Sequence, residues 1–170
     1  MPICAASPRS RHLVVVRRRA WWFLVFVAVV LVVFGIVDMV SGAQADPGIS
    51  LAIAGASPDE VRSVDPLGYR LFDFATRGLG LALVVLGLLF GAVLLGPYRR
   101  GRPWAWAAAW LLPAWAIAVP LLYLAFGTTP GQPPAPPMVS GPIIAIVAAA
   151  VLLSDRGRFP TGPSDRSIQA

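Results

Sequence analysis

Long apolar runs separated by short polar segments dominate the pattern of the chain. Three plain runs cover residues 20–40, 71–96 and 104–126, and a shorter fourth run covers residues 138–154. A helix needs roughly 20 predominantly apolar residues to cross about 30 Å of hydrocarbon. The pattern therefore predicts an all-α fold, an integral membrane bundle of four transmembrane helices in a single domain over residues 1–170.

The polar segments between the runs predict loops and tails. Residues 98–103 and 127–137 have the glycine and proline content of turns. Residues 41–70 form the one sizeable loop, in which Ser57 is placed to cap a short helix and Glu60 to close a capping box. Residues 1–19 and 155–170 are predicted to be tails.

Arginine positions predict the orientation. Arginines precede the first run (Arg9, Arg11, Arg17, Arg18, Arg19), separate the second from the third (Arg99, Arg100, Arg102), and follow the fourth (Arg156, Arg158, Arg166). Residues 41–70 instead carry four acids and two arginines. Because arginine-rich segments stay in the cytoplasm, we expect both termini to be cytoplasmic, residues 41–70 to be outside, and the bilayer to be the plasma membrane of a bacterial cell.

Composition agrees with lipid as the solvent. Hydrophobic residues make up 57% of the chain and charged residues 13%, about half the charged share of a soluble domain. The net charge of +6 would suggest nucleic acid in a soluble chain. Here the basic residues are all arginine and lie at the ends of apolar runs, which indicates the lipid bilayer as the partner and no nucleic acid.

Three ionisable side chains fall inside the predicted spans. Burying a charge at the centre of a span costs about 2.5–3.5 kcal/mol, so Asp38, Asp73 and Arg77 form a candidate intramembrane polar cluster. Asp73 and Arg77 are four residues apart with the acid first, the favourable order for a helical ion pair. The alternative is that this pair neutralises itself and only supports packing.

Small residues and prolines mark two further features. Gly80, Gly87 and Gly91 share the face of Asp73 and Arg77, and they predict a helix-packing groove. The groove could meet a sister helix, a partner membrane protein or a second copy of the chain.

Pro113 and Pro120 lie seven residues apart on one face of the third run. Each leaves a carbonyl group four residues earlier without its amide partner, so they are candidate kinks. They indicate either a gated site near the Tyr123 hydroxyl or a plain bend.

Catalytic chemistry is absent from the pattern. Cys4 and His12 are the only cysteine and the only histidine, and together they cannot complete a zinc site, which needs about four ligands. The sequence contains no nucleophile–base arrangement and no phosphate loop. We therefore expect no catalytic residues, no cofactor, no metal and no enzymatic activity.

The first run also resembles an export signal, with Ala43-Gln44-Ala45 as a small-x-small cleavage pattern. Its apolar core exceeds the usual 7–15 residues, and Asp38 lies close to the proposed cut. We therefore expect the run to stay as a span, while cleavage would leave three spans and the same placement of the acidic loop.

The combination of an opening span, "SPDE" in the loop, a glycine-rich span headed by an acid and an arginine, and "YRRGRPWAW" before a proline-bearing span resembles small bacterial membrane proteins of the DoxX-like and DUF4345-like kind. The resemblance covers roughly residues 23–126. It implies a four-helix architecture and almost no specific activity.

Two functions remain open. The first is a non-enzymatic accessory or helix-packing subunit. The alternative is a small transporter or permease-like protein that uses Asp38, Asp73, Arg77 and the kinked third span.

The predicted topology is tested by fusing alkaline phosphatase, which is active only in the periplasm, to the carboxyl terminus. We expect no activity from that fusion and strong activity from an otherwise identical fusion truncated after Arg62. Strong activity of the carboxyl-terminal fusion would reverse the orientation.

Overall fold

The computed structural model describes residues 21–159, and helices make up most of this part of the chain. The helices are α1 (Trp21–Ser41), α2 (Pro47–Ala54), α3 (Pro58–Val64), α4 (Pro66–Val93), α5 (Pro103–Ala109), α6 (Leu111–Phe126) and α7 (Pro136–Asp155). A π-helical turn, Leu94–Tyr98, continues α4, and 3-10 turns follow α1 and α7. Residues 21–159 contain no strand.

Four of these helical segments are long and apolar enough to cross a membrane. They are Trp21–Gln44, Pro66–Tyr98, Pro103–Phe126 and Pro136–Arg158, with mean hydropathies of 3.0, 2.7, 1.8 and 2.1. The predicted all-α bundle of four transmembrane helices is therefore confirmed. The orientation stays a prediction, and the five arginines of the amino-terminal tail and Arg166 lie outside the described residues.

The helical segments extend beyond three of the predicted runs, and the third run is divided. The second span begins at Pro66 rather than residue 71, because the Asp65 side chain accepts a hydrogen bond from the Gly68 amide at 2.9 Å and caps α4 there. The third span is divided into α5 and α6 at Trp110. Since Pro113 has no amide hydrogen for the Ala109 carbonyl group, the regular hydrogen-bond pattern stops at this position.

The predicted glycine groove on α4 is filled by α1 of the same chain. A Cβ atom at Gly80 would lie 2.6 Å from the Gly35 carbonyl oxygen, and one at Gly35 would lie 2.6 Å from the Gly80 oxygen. A Cβ at Gly87 would lie 2.8 Å from the Ala28 oxygen, whereas Gly91 has looser packing against the same residue. The groove therefore meets a sister helix and is not open to a second copy through these glycines.

A second close approach joins α6 to α7. Pro120 lies inside α6 and leaves the Ala116 carbonyl group without an amide partner four residues later. A Cβ atom at Gly141 of α7 would come within 2.5 Å of that carbonyl oxygen and within 2.8 Å of the Pro120 ring. Only glycine fits here, so α7 covers the kink that Pro120 introduces.

The helices converge near the Arg99–Arg102 turn, which we call the hairpin end of the bundle. The buried core there combines aromatic and aliphatic side chains of α1, the π-helical turn, α5, α6 and α7: Trp21, Leu24, Val27, Ala28, Leu31, Leu94, Tyr98, Ala105, Ala109, Leu112, Ala148, Leu152 and Phe159. The Trp106 indole adds a hydrogen bond to the Leu152 carbonyl oxygen at 2.9 Å. This end therefore holds the two helix pairs, α1 with α4 and α6 with α7, together.

The opposite end, which carries residues 41–70, we call the loop end. Here α2 is tied to the loop before α7, because the Thr129 amide donates to the Ala52 carbonyl at 2.8 Å and the Thr129 hydroxyl to the Ile53 carbonyl at 2.9 Å. The capping box predicted at Ser57 is confirmed at the start of α3. The Ser57 amide donates to the Glu60 carboxylate at 2.6 Å, which lowers the pKa of Glu60.

The glycine packing is tested by a matched pair of substitutions on α4. Gly87→Leu forces a side chain into the backbone of α1. We expect it to lower the free energy of unfolding by about 1–3 kcal/mol or more, the range typical of overpacking. Gly78→Leu is the control, since a Cβ at Gly78 meets nothing within 4 Å. Thermal unfolding in detergent, followed by circular dichroism, should show a lower midpoint for Gly87→Leu alone. Equal midpoints would contradict the close α1–α4 approach.

Candidate functional site

Asp73 and Arg77 form an ion pair at the loop end, one turn apart on α4. The Arg77 Nε atom donates to Asp73 Oδ2 at 2.8 Å. The same guanidinium reaches α1, where its Nη1 donates to the carbonyl oxygens of Met39 at 2.7 Å and Val40 at 2.9 Å. Those carbonyl groups belong to the last turn of α1, which lacks intrahelical donors. Arg77 thus supplies hydrogen-bond donors for the carbonyl groups at the carboxyl end of α1.

Asp73 completes this arrangement from the other side. Its Oδ1 atom accepts a hydrogen bond from the Ala43 amide, just past the end of α1, at 2.9 Å. Gly42, which directly precedes Ala43, has a φ of +59°, and a Cβ atom at this position would overlap the Asp73 carboxylate. We call Asp73, Arg77 and their partners on α1 the polar clasp. In the clasp, the two charged side chains bind the backbone at the carboxyl end of α1.

Asp38 does not join the other two members of the predicted polar cluster. Its carboxylate makes no hydrogen bond or ion pair with any residue from 21 to 159. It lines a separate cleft of about 220 Å³ that is bounded by α1, α2, α4 and α6. Asp46, Thr76 and Tyr123 contribute the other polar groups of this Asp38 cleft. The structure therefore divides the predicted cluster into a paired site and an unpaired carboxylate.

The Asp38 cleft has a chemical character of its own. Two carboxylates and two hydroxyl groups line it, but Asp46 already accepts a hydrogen bond from the Gly48 amide at 3.0 Å as the cap of α2. Tyr123 lies one turn beyond Pro120 on α6, so the kinked helix forms one wall. Ionisable side chains inside membrane spans mark substrate or ion pathways and proton relays in many membrane proteins, which makes the Asp38 cleft a candidate site.

Metal ligation has no support in the described part of the chain. Residues 21–159 contain no group of three or more histidine, cysteine, aspartate or glutamate side chains that could hold an ion. Cys4 and His12 lie outside the described residues. The candidate site is therefore the polar clasp together with the Asp38 cleft.

Sequence reasoning missed a buried carboxylate at the hairpin end. Asp155, the last residue of α7, is 0% exposed, and its Oδ2 atom accepts a hydrogen bond from the Tyr98 hydroxyl at 3.0 Å. Arg158 lies 3.4 Å from the same oxygen, while Oδ1 has no partner among the described residues. The sequence places Asp155 directly after an apolar run, where an acid normally begins a solvated tail. Only the position of Tyr98 beside it shows that the carboxylate is enclosed.

The clasp is tested by two substitutions on the same helix face. Arg77→Gln removes the donors of the Met39 and Val40 carbonyl groups and leaves Asp73 without its counter-charge, so we expect the unfolding midpoint in detergent to fall by a few degrees. Arg70→Gln is the matched control, because the Arg70 guanidinium makes no hydrogen bond or ion pair within residues 21–159. A midpoint that is lowered equally by both changes would show that the clasp contributes no specific stability.

Comparison with known proteins adds a partial similarity. No family model matches the chain, and no solved structure matches it. A stretch of 62 residues, 36% of the chain, is 40% identical to the UDP-N-acetylglucosamine--N-acetylmuramyl-(pentapeptide) pyrophosphoryl-undecaprenol N-acetylglucosamine transferase of Chlorobaculum tepidum. It spans 17% of that protein's length, which is too little to show a family. The resemblance to DoxX-like and DUF4345-like proteins stays a prediction.

Proposed function

We propose that this multi-pass membrane protein is a non-enzymatic accessory subunit of the bacterial plasma membrane, with both termini in the cytoplasm, and that it packs a helix of a partner membrane protein against α4. The observation that carries the proposal is the free face of α4. Of the 28 residues of this helix only Gly80 and Gly87 are buried. Both lie on the side that α1 covers, so most of the helix surface faces outward.

The free face of α4 includes a pair of small residues. Gly78 and Ala82 lie one turn apart on it, roughly opposite Gly80 and Gly87 at 100° per residue, and the exposed Val85 and Leu89 continue the same face. A Cβ atom at Gly78 would meet nothing within 4 Å. In lipid, helices associate through small residues that let two backbones approach closely. This surface is open, whereas the groove on the other side is already occupied.

The internal use of the polar residues supports the same function. Asp73 and Arg77 end α1, and Pro120 is covered by Gly141. Three of the features that suggested a moving or gated protein therefore have partners within the chain. A bundle that uses these polar groups internally and leaves most of the α4 surface uncovered fits a subunit better than a carrier.

The proposal is tested by site-specific cross-linking in native membranes. A photoreactive p-benzoylphenylalanine replaces Leu81, which is 52% exposed at the edge of the free face, and in a control replaces Ile146, which is 69% exposed on α7. We expect a discrete protein adduct from position 81 alone, and its mass distinguishes a different protein from a second copy. Adding Gly78→Leu should reduce the adduct several-fold without changing the unfolding midpoint. Adducts to lipid only at position 81 would overturn the proposal.

A second candidate function, that of a small transporter or permease-like protein, is favoured by the unpaired Asp38 carboxylate against the kinked α6. The polar clasp gives it no support, because both of its charges have partners. Asp38→Asn separates the two functions. Loss of cation uptake into proteoliposomes, with the cross-linked adduct intact, would favour the transporter.

A further inference from the structure

Three arginines converge on one open cleft at the loop end. Arg62 of α3 and Arg70 and Arg77 of α4 line a cavity of about 520 Å³, together with Gln44, Tyr69 and Asp73. Arg70 and Arg77 lie two turns apart on one face of α4, and the short α3 brings Arg62 opposite them. Asp73 is the single carboxylate among the residues that line this arginine cleft.

Two of the three guanidinium groups have no counter-charge. Arg77 is paired with Asp73 at 2.8 Å. Arg62 and Arg70 make no ion pair or hydrogen bond within residues 21–159, and the Arg62 guanidinium lies over the Tyr69 ring at 5.7 Å. The three arginines and Asp73 that line the arginine cleft sum to an excess positive charge of about two, and the N–H groups of Arg62 and Arg70 are open to an anion.

The neighbouring acids keep their negative charge, but each accepts a hydrogen bond from a neutral amide group and none forms an ion pair with Arg62 or Arg70 within residues 21–159. Asp59 accepts from the Gln44 side-chain amide at 2.9 Å, and Asp65 accepts from the Gly68 amide at 2.9 Å as the cap of α4. Glu60 accepts from the Ser57 amide, which also lowers the pKa of Glu60 and keeps its charge in the capping box. The free donors in the arginine cleft are thus left for a ligand.

The geometry of the donors favours a phosphate group. A guanidinium presents a planar fork of N–H donors that binds phosphate oxygens in pairs. Arg62 and Arg70 come from different helices, so they can engage one phosphate from two sides. A carboxylate has two oxygen atoms, so it can form a paired set of hydrogen bonds with only one of the two guanidinium groups.

The surroundings of the arginine cleft favour a lipid as the source of that phosphate. Leu67, Leu71 and Phe74 adjoin Arg70 on α4, and each is more than 70% exposed. The cleft lies at the first turns of a membrane-spanning helix, at the level where headgroups meet the hydrocarbon. Acyl chains can follow the apolar side chains while the headgroup enters the cleft.

We propose that Arg62 and Arg70 form a binding site for the phosphate group of a membrane lipid, with Arg77 fixed in place beside it by the polar clasp. The site does not depend on the accessory role proposed for α4, since Arg70 and Arg77 lie about a quarter turn away from Gly78 and Ala82 on the helix. Its ligand chemistry is shared with free phosphate, and only the apolar flank distinguishes the two sources.

The test measures binding of dihexanoyl phosphatidic acid, a short-chain lipid with a phosphomonoester, to the full chain in uncharged detergent. We expect the dissociation constant of Arg62→Gln/Arg70→Gln to rise roughly tenfold or more, since two charge-assisted hydrogen-bonding groups are lost. Arg100→Gln/Arg102→Gln removes the same charge at the hairpin end and should leave the affinity unchanged. Raising the salt concentration should weaken binding to the wild-type chain.

Two further arms make each outcome decisive. Inorganic phosphate should bind at least tenfold more weakly than the lipid, and equal affinities would overturn the assignment to lipid in favour of free phosphate. Equal binding of the lipid to wild type and to Arg62→Gln/Arg70→Gln would overturn the site, as would no binding to either. If the double variant fails to fold, Arg70→Gln alone gives the same comparison with a smaller expected loss of a few-fold.

Discussion

The close approach of the α1 and α4 backbones is the constraint on which the rest of the bundle depends. In lipid the association of helices gains nothing from expelling water, so packing and polar contacts must supply it. Gly35, Gly80 and Gly87 allow the two helices to meet backbone to backbone. At that separation Arg77 can reach the carbonyl groups that end α1, and Asp73 can reach the Ala43 amide. The glycines and the clasp therefore act together, since side chains at the glycine positions would carry the charged groups out of range.

Much of the architecture could be predicted from the sequence, because a span is specified by local properties. The length and apolarity of each run gave four helices, and Ser57 with Glu60 gave the start of α3. The ion pair between Asp73 and Arg77 follows from their spacing on one helix. Each of these features depends on residues that are close along the chain.

The features that could not be predicted join residues far apart along the chain. A helical wheel shows that Gly80 and Gly87 share a face, but not that α1 fills it. Asp38 lies beside Gly80, about two turns along α4 from Asp73, and it lines a different cleft. The burial of Asp155 requires Tyr98, which precedes it by more than fifty residues, at the end of another helix. Each of these contacts depends on how one helix is rotated about its axis relative to its neighbours. The sequence of that helix alone does not specify this rotation.

The two ends of the bundle resist separation very differently. At the hairpin end, parting the α1–α4 pair from the α6–α7 pair would expose a continuous aromatic and aliphatic core and the enclosed Asp155. At the loop end, the hydrogen bonds from Thr129 to the end of α2 are the described polar ties between the same pairs. The two helix pairs are therefore more easily separated at the loop end, where the Asp38 cleft lies, than at the hairpin end.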